Sequence, residues 1–196
     1  MNEYIENMIN EVNNSLNSGD IVFIAIPNFL YRRVAKTTCS WTSHVGMVHS
    51  RQNGQWLIAE SSVPFCKMTP LENFLERSEN GTFAIKRLKN DLSEYDISRL
   101  QASALKRMKR LYHLGFKYES NRQFCSKFVY EVFKEALDIE VGQLETFRDL
   151  LNKNPEVSKR FWKFWFFGFI PWKRLTVTPA SVMESPKLQT IFEVLN

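Results

Sequence analysis

Cys125 is the residue of this 196-residue chain whose type and placement point most directly to covalent chemistry. It lies in Asn121-Arg122-Gln123-Phe124-Cys125-Ser126, where a polar loop passes into Phe124, Phe128, Val129, Val132, Phe133, Ala136 and Leu137 at helical spacing. A thiol in the first turn of a helix meets unpaired backbone N–H groups and the positive end of the helix dipole, which favour thiolate. The same N–H groups suit the oxyanion of a tetrahedral intermediate. The competing reading is a small buried hydrophobe, the usual fate of a free cysteine. Cys39 and Cys66 precede no amphipathic helix and read as structural.

A cysteine nucleophile needs an imidazole within hydrogen-bond reach and a third group to orient it. His44 follows the polar Trp41-Thr42-Ser43 and opens a strand in which Gly46 permits close backbone approach. His49 comes an odd five residues later and faces the other way in a regular strand, while His113 sits among basic residues near a helix end. Glu60 closes the apolar run Trp56-Leu57-Ile58-Ala59 on the partner strand. A lone strand histidine is more often structural than catalytic, so the pairing of His44 with Glu60 carries the weight. A two-residue Asn53-Gly54 turn pairs Gln52 with Gln55 and puts His44 and Glu60 on opposite sheet faces. A three-residue loop with Gly54 left-handed pairs Arg51 with Gln55 and brings them to one face. A triad therefore requires the bulged turn or another odd-residue correction.

The elements that must position these residues follow from periodicity. Tyr4 to Leu16 keeps helical spacing, so residues 2–17 read as an amphipathic helix. Strands are expected at Ile21–Ile26, Val45–His49, Trp56–Glu60 and Thr82–Leu88. Thr69-Pro70-Leu71-Glu72 reads as a capping box opening a short helix to about Arg77. Ser93 and Asp96 open another whose face carries Ile97, Leu100, Ala104, Met108 and Leu111, stopped by Gly115. Its Arg99, Lys106, Arg107, Lys109 and Arg110 fit a solvated face better than a nucleic-acid stripe. The order of elements implies one α+β domain over residues 1–196.

Composition excludes more than it selects. A 44% hydrophobic content rules out disorder of the bulk, and a net charge of +5 is too small to choose among nucleic acid, anionic membrane and acidic substrates. No apolar stretch is long enough to span a bilayer, and MNEYIENMIN lacks the basic and apolar regions of an export signal. The three cysteines form no CxxC pair and the histidines are scattered, so neither a disulfide framework nor a metal site is expected. A reduced, cytoplasmic protein is the expectation.

Four ordered blocks, Gly19-Asp20-Ile21-Val22-Phe23, Ser43-His44-Val45-Gly46-Met47, Ala59-Glu60-Ser61 and Arg122-Gln123-Phe124-Cys125-Ser126, resemble the YiiX/YebB-like permuted papain enzymes of the NlpC-type superfamily of cysteine peptidases and amidases. The resemblance runs over nearly the whole chain and is closest to the YebB members, including Phe116–Ser120 and Thr176–Ser181. It implies a circularly permuted papain-like fold, with the nucleophile's helix on a small antiparallel sheet or barrel. It further implies Cys125 as nucleophile, His44 as general base, Glu60 as orienting acid and Tyr118 as a substrate or oxyanion contact. No metal or organic cofactor is implied. The implied activity is thiol hydrolysis of an amide in a small peptide or cell-wall-derived peptide. The alternatives are a lipid-directed acyltransferase or thioesterase of related fold, and a non-catalytic peptide-binding module.

The segment Lys159–Arg174 holds eight of the chain's 21 Phe and Trp residues. From Leu151 to Arg174 six basic residues oppose one acid, an excess equal to the charge of the whole chain. We read residues 155–175 as an aromatic-rich insert or cap over the cleft. The alternative is peripheral membrane contact through Phe161–Trp172, with aromatics at headgroup depth and basic flanks on anionic lipid. Nucleic acid is not expected as a partner, because the aromatics are too contiguous for a backbone-tracking groove.

Overall fold

The computed structural model describes residues 11–196. A helix over 11–15 (α1) is what it describes of the expected N-terminal helix; the rest of that expectation lies outside the described residues. The apolar Ile21–Ile24 (β1) becomes a central strand, buried on both faces. It pairs antiparallel with His44–Gln52 (β2) on one side and Phe83–Leu88 (β5) on the other. Gln55–Ser61 (β3) and Cys66–Pro70 (β4) extend one edge, and Leu188–Val194 (β8) the other, giving the order β4-β3-β2-β1-β5-β8. Every neighbouring pair is antiparallel.

Alternation along β1 divides the core. Ile21 and Phe23 join the cluster holding Phe128, Val129, Val132 and Phe133 of Cys125–Leu137 (α5). Val22 and Ile24 join Val12, Leu16, Val48, Ile58 and Phe74. Burying each such Phe stabilises the fold by roughly 1.5–3 kcal/mol, so α5 is held on the sheet mainly by its apolar face. Left-handed Asp138 (φ 57°) ends α5.

Three expectations are corrected. Thr69 does not cap a helix: it belongs to β4, and Leu71–Leu75 (α3) starts after Pro70 with no side-chain cap. The helix opened by the Ser93/Asp96 capping box (α4, Glu94–Leu105) ends ten residues before Gly115. Beyond it the backbone finds other partners, for Lys109 N–H donates to Cys66 O, Cys66 N–H to Arg110 O and Tyr112 N–H to Pro64 O. This pairing with the segment before β4 outweighs another helical turn. Finally, Arg107 is not solvated but buried, with Nη1 2.7 Å from Glu135 Oε2 and donating to Ser103 O at 2.9 Å.

The remaining described elements gave weaker sequence signals. Phe29–Thr37 (α2) is capped by Asn28, whose Oδ1 accepts from Leu30 N–H at 3.0 Å. Glu145–Thr146 (β6) pairs with Leu175–Thr176 (β7), bracketing Phe147–Lys153 (α6) and Lys159–Trp165 (α7); Pro179–Met183 (α8) follows. Among the described residues no helix is long and apolar enough to cross a membrane.

Candidate active site

The site forms at the end of the sheet where β1 stops and β2 begins, since His44, first in β2, pairs with Ile24, last in β1. Glu60 comes from β3, and the residue count between them decides whether they meet. The turn is the two-residue form: Gln52 pairs with Gln55, and Asn53 and Gly54 both take positive φ (50° and 82°). The three-residue loop is therefore corrected. The odd residue lies inside the strand, where a bulge at His49 shifts the register between Val48↔Ile58 and Ser50↔Leu57. From Met47↔Ala59 one residue further, Glu60 comes against Gly46 and diagonal to His44. Gln101 of α4 holds the bulge by donating Nε2–H to His49 O at 2.7 Å.

The result is a buried polar network. His44 Nε2 lies 2.6 Å from Glu60 Oε2, both side chains wholly buried. Thr69 Oγ1–H donates to Glu60 Oε1 at 2.5 Å, and Arg77 Nη2 donates to both carboxylate oxygens at 2.9 Å. Thr69 reaches the acid because it stands opposite Ile58, two residues from Glu60 on the same face. Burial alone would raise the Glu60 pKa, but the His44 bond and charge, Arg77 and Thr69 lower it from 4.5 to about 2. An ionised acid can only accept, so Nε2 of His44 carries its proton.

The His44 ring is fixed from both sides, edge-on to Tyr31 (5.7 Å between centroids) and tilted against Phe74 (5.6 Å). Gly46 makes room for this packing: a Cβ there would come 2.5 Å from Ile58 Cγ2 and 3.0 Å from Phe74. Nδ1 is buried without a hydrogen-bond partner. Burial would depress the His44 pKa, yet the Cys125 thiol and Glu60 raise it from 6.5 to about 9. Thiol and ring are thus coupled although Nδ1 has no aligned hydrogen bond.

Cys125 is the first residue of α5, after Phe124 as N-cap. Phe124 has no side-chain oxygen to cap the first turn, so no side chain competes with an incoming oxyanion for those N–H groups. The approach loop is clasped by Lys127, a buried lysine that donates to Ser120 O and, at 2.9 Å, to Arg122 O.

A narrow cavity of about 30 Å³ opens beside the thiol, walled mainly by Leu30, Val34, Phe116, Phe147 and Trp162. Tyr31 and Tyr112 also line it. Burial first, then the Cys125 charge, hold both phenols above their usual range, so each keeps its O–H as a donor. Tyr118, the expected substrate contact, does not line this cavity. It packs edge-on to Tyr130 (5.8 Å), with Lys127 Nζ 5.6 Å from its ring centroid. Thr69, Arg77, Tyr31 and Tyr112 were not anticipated. A fully buried acid implies a nearby cation, but sequence spacing does not single out Arg77.

A solved structure described as the metalloprotein YiiX from Escherichia coli O157:H7 superposes with a TM-score of 0.85 at 26% identity, covering 93% of this chain and 99% of that one. The protein named YiiX in Escherichia coli strain K12, described as uncharacterized, is 26% identical over 89% of this chain and 85% of its own length. The word metalloprotein raises the question of a metal centre. Among the described residues no three His, Cys, Asp or Glu side chains gather as a ligand set, and both Glu60 oxygens are taken by His44, Thr69 and Arg77. The described residues do not fit one. The sequence model of the permuted papain-like amidases of the YaeF/YiiX type matches residues 15–192. With the permuted order of histidine before cysteine and an antiparallel sheet carrying the cysteine's helix, the chain belongs to that family, C92, of cysteine peptidase- and amidase-like enzymes.

Proposed function

We propose that the protein hydrolyses an amide bond in a small peptide or cell-wall-derived peptide, with Cys125 as nucleophile, His44 as general base and acid, and Glu60 as orienting acid. The observation that carries this is the 2.6 Å contact of His44 Nε2 with ionised Glu60, which leaves Nδ1 as the free nitrogen beside the Cys125 thiol.

His44 Nδ1 holds the proton given up by the thiol while the sulfur attacks the carbonyl carbon, forming the C–S bond. The carbonyl oxygen becomes an oxyanion against the first-turn N–H groups of α5, with Tyr31 or Tyr112 O–H as a further donor. Collapse breaks the C–N bond as Nδ1–H protonates the leaving nitrogen. Water then attacks the thioester, gives its proton to Nδ1, and releases the acid while the thiol is restored. Free Cys39, Cys66 and Cys125 support a reducing compartment such as the cytoplasm.

The apolar cavity wall favours a second reading, release or transfer of a fatty acyl group. Its small volume supports the amide reading instead, because about 30 Å³ leaves no room for a long acyl chain. Intact-mass trapping with pooled cell extract tests the proposal. An acyl adduct is expected on the native chain and none on Cys125→Ser. Labelling unchanged in that variant would remove Cys125 as nucleophile, and the adduct mass separates peptide from fatty acyl.

A further inference from the structure

The aromatic segment divides into residues that face the core and residues that face water. Trp162 is buried, edge-on to Phe116 and Phe147, with Nε1–H donating to Thr37 Oγ1 at 3.0 Å. In contrast, Phe164, Phe167 and Phe169 are 81%, 100% and 68% exposed. These three stand on a tight turn. Gly168 N–H donates to Lys163 O and Phe167 N–H to Phe164 O, the paired bonds of a Schellman helix end.

In that motif the left-handed residue is normally glycine, because a Cβ is strained there. Here Phe167 takes it at φ 55°, and the glycine comes one residue later, at φ 96°. The chain therefore accepts backbone strain to hold a fully solvated phenylalanine at the tip. Exposed Lys159, Arg160 and Lys163 precede the turn in sequence and Lys173 follows it, and none is in an ion pair among the described residues. Phe29, 63% exposed, extends the surface against Phe161, with the Arg33 guanidinium over both rings.

We propose that this turn is a peripheral membrane anchor, inserting Phe164, Phe167 and Phe169 into an anionic bilayer while Lys159, Arg160, Lys163 and Lys173 meet lipid headgroups. The occupant follows from shape and charge. An exposed aromatic tip flanked in sequence by unpaired cations matches an anionic interface. A second copy pairing through the same surface would set these cations against their own kind.

Flotation of the full chain with vesicles of phosphatidylcholine, alone or mixed with phosphatidylglycerol, tests the anchor. The native chain should float with the anionic vesicles, less so as salt is added. F164S/F167S/F169S and K163E/K173E should each lose about tenfold or more in partitioning, while Cys125 alkylation keeps its native rate. Phe167→Gly relieves the left-handed strain, so it should raise the melting temperature while weakening vesicle binding. A native chain that stays unbound on anionic vesicles, or a triple Phe variant that binds like the native chain, overturns the proposal. A concentration-dependent dimer lost in the triple variant, without flotation, overturns it in favour of self-association.

Discussion

The two walls of the active site are built on opposite principles. On the His44 side each Glu60 oxygen has two partners, and the ring is fixed between Tyr31 and Phe74. On the Cys125 side Leu30, Val34, Phe116, Phe147 and Trp162 meet mainly through dispersion around a small space. Hydrogen bonds between buried charges tolerate little displacement, whereas apolar contacts can rearrange at modest cost. The first wall sets a proton's location; the second sets what can approach the sulfur. Damage to the former should appear in rate with any substrate, and damage to the latter in which substrate is used.

The largest effect should come from Cys125→Ala, with a loss of about 10⁴-fold or more in kcat/KM and an unchanged melting temperature.

Glu60→Gln should be milder, about a hundredfold in rate, because thiol and imidazole remain. It also has a pH signature. With His44 raised to about 9, the native imidazolium should persist through neutral pH, and the alkaline limb of kcat/KM should lie near 9. Without the carboxylate that limb should move to lower pH. The linked stability has two edges. The His44 contribution is complete below its ordinary 6.5 and lost as pH rises through about 9. The Glu60 contribution is complete above 4.5 and lost as pH falls toward about 2. Thermal melts across pH should therefore show the native-minus-variant difference shrinking toward acid. Deleting His49 tests register directly. The two-residue turn then sets Gly46 against Glu60 in a regular ladder, so His44 and Glu60 keep one face. Activity should stay within about tenfold of native, with lower thermal stability because α4 loses its tie to the bulge. Activity as low as that of Cys125→Ala would show that the bulge itself, and not register, sets the polar wall. The smallest effect on the thiol should come from Trp162→Ala. Iodoacetamide alkylation should change less than about threefold, since Trp162 touches neither polar wall nor proton path, while longer acyl groups gain access to the enlarged cavity.

Much of this frame could be read from the chain itself. The central strand, the capping box at Ser93 and the helix starting at Cys125 follow from periodicity and end signals, which are local properties. The His44–Glu60 pairing was legible only as a condition, that one odd residue must be added somewhere. Asn53-Gly54 pointed to the turn that was found, while the bulge at His49 carries no glycine or proline to mark it. Tyr112 stayed hidden because helical spacing continues on paper through Met108 and Leu111. Pairing with residues 64–66, distant in sequence, turned that stretch aside and delivered Tyr112 to the cavity. Tyr118 is implied by resemblance, while the tyrosines that line the cavity are Tyr31 and Tyr112. Thr69 looked like a helix cap because its neighbours fit the motif, but strand pairing assigned its hydroxyl to Glu60.

The bulge also separates two jobs that hairpins usually combine. Because the odd residue sits within β2, the β2–β3 tip does not set which side of the sheet Glu60 occupies. Asn53 and Gly54 are exposed, and a Cβ added at Gly54 would touch nothing within 4 Å. The tip is thus a modular port, where a reporter peptide or affinity handle can be spliced while the catalytic geometry stays keyed to the pairing of Gly46 with Glu60.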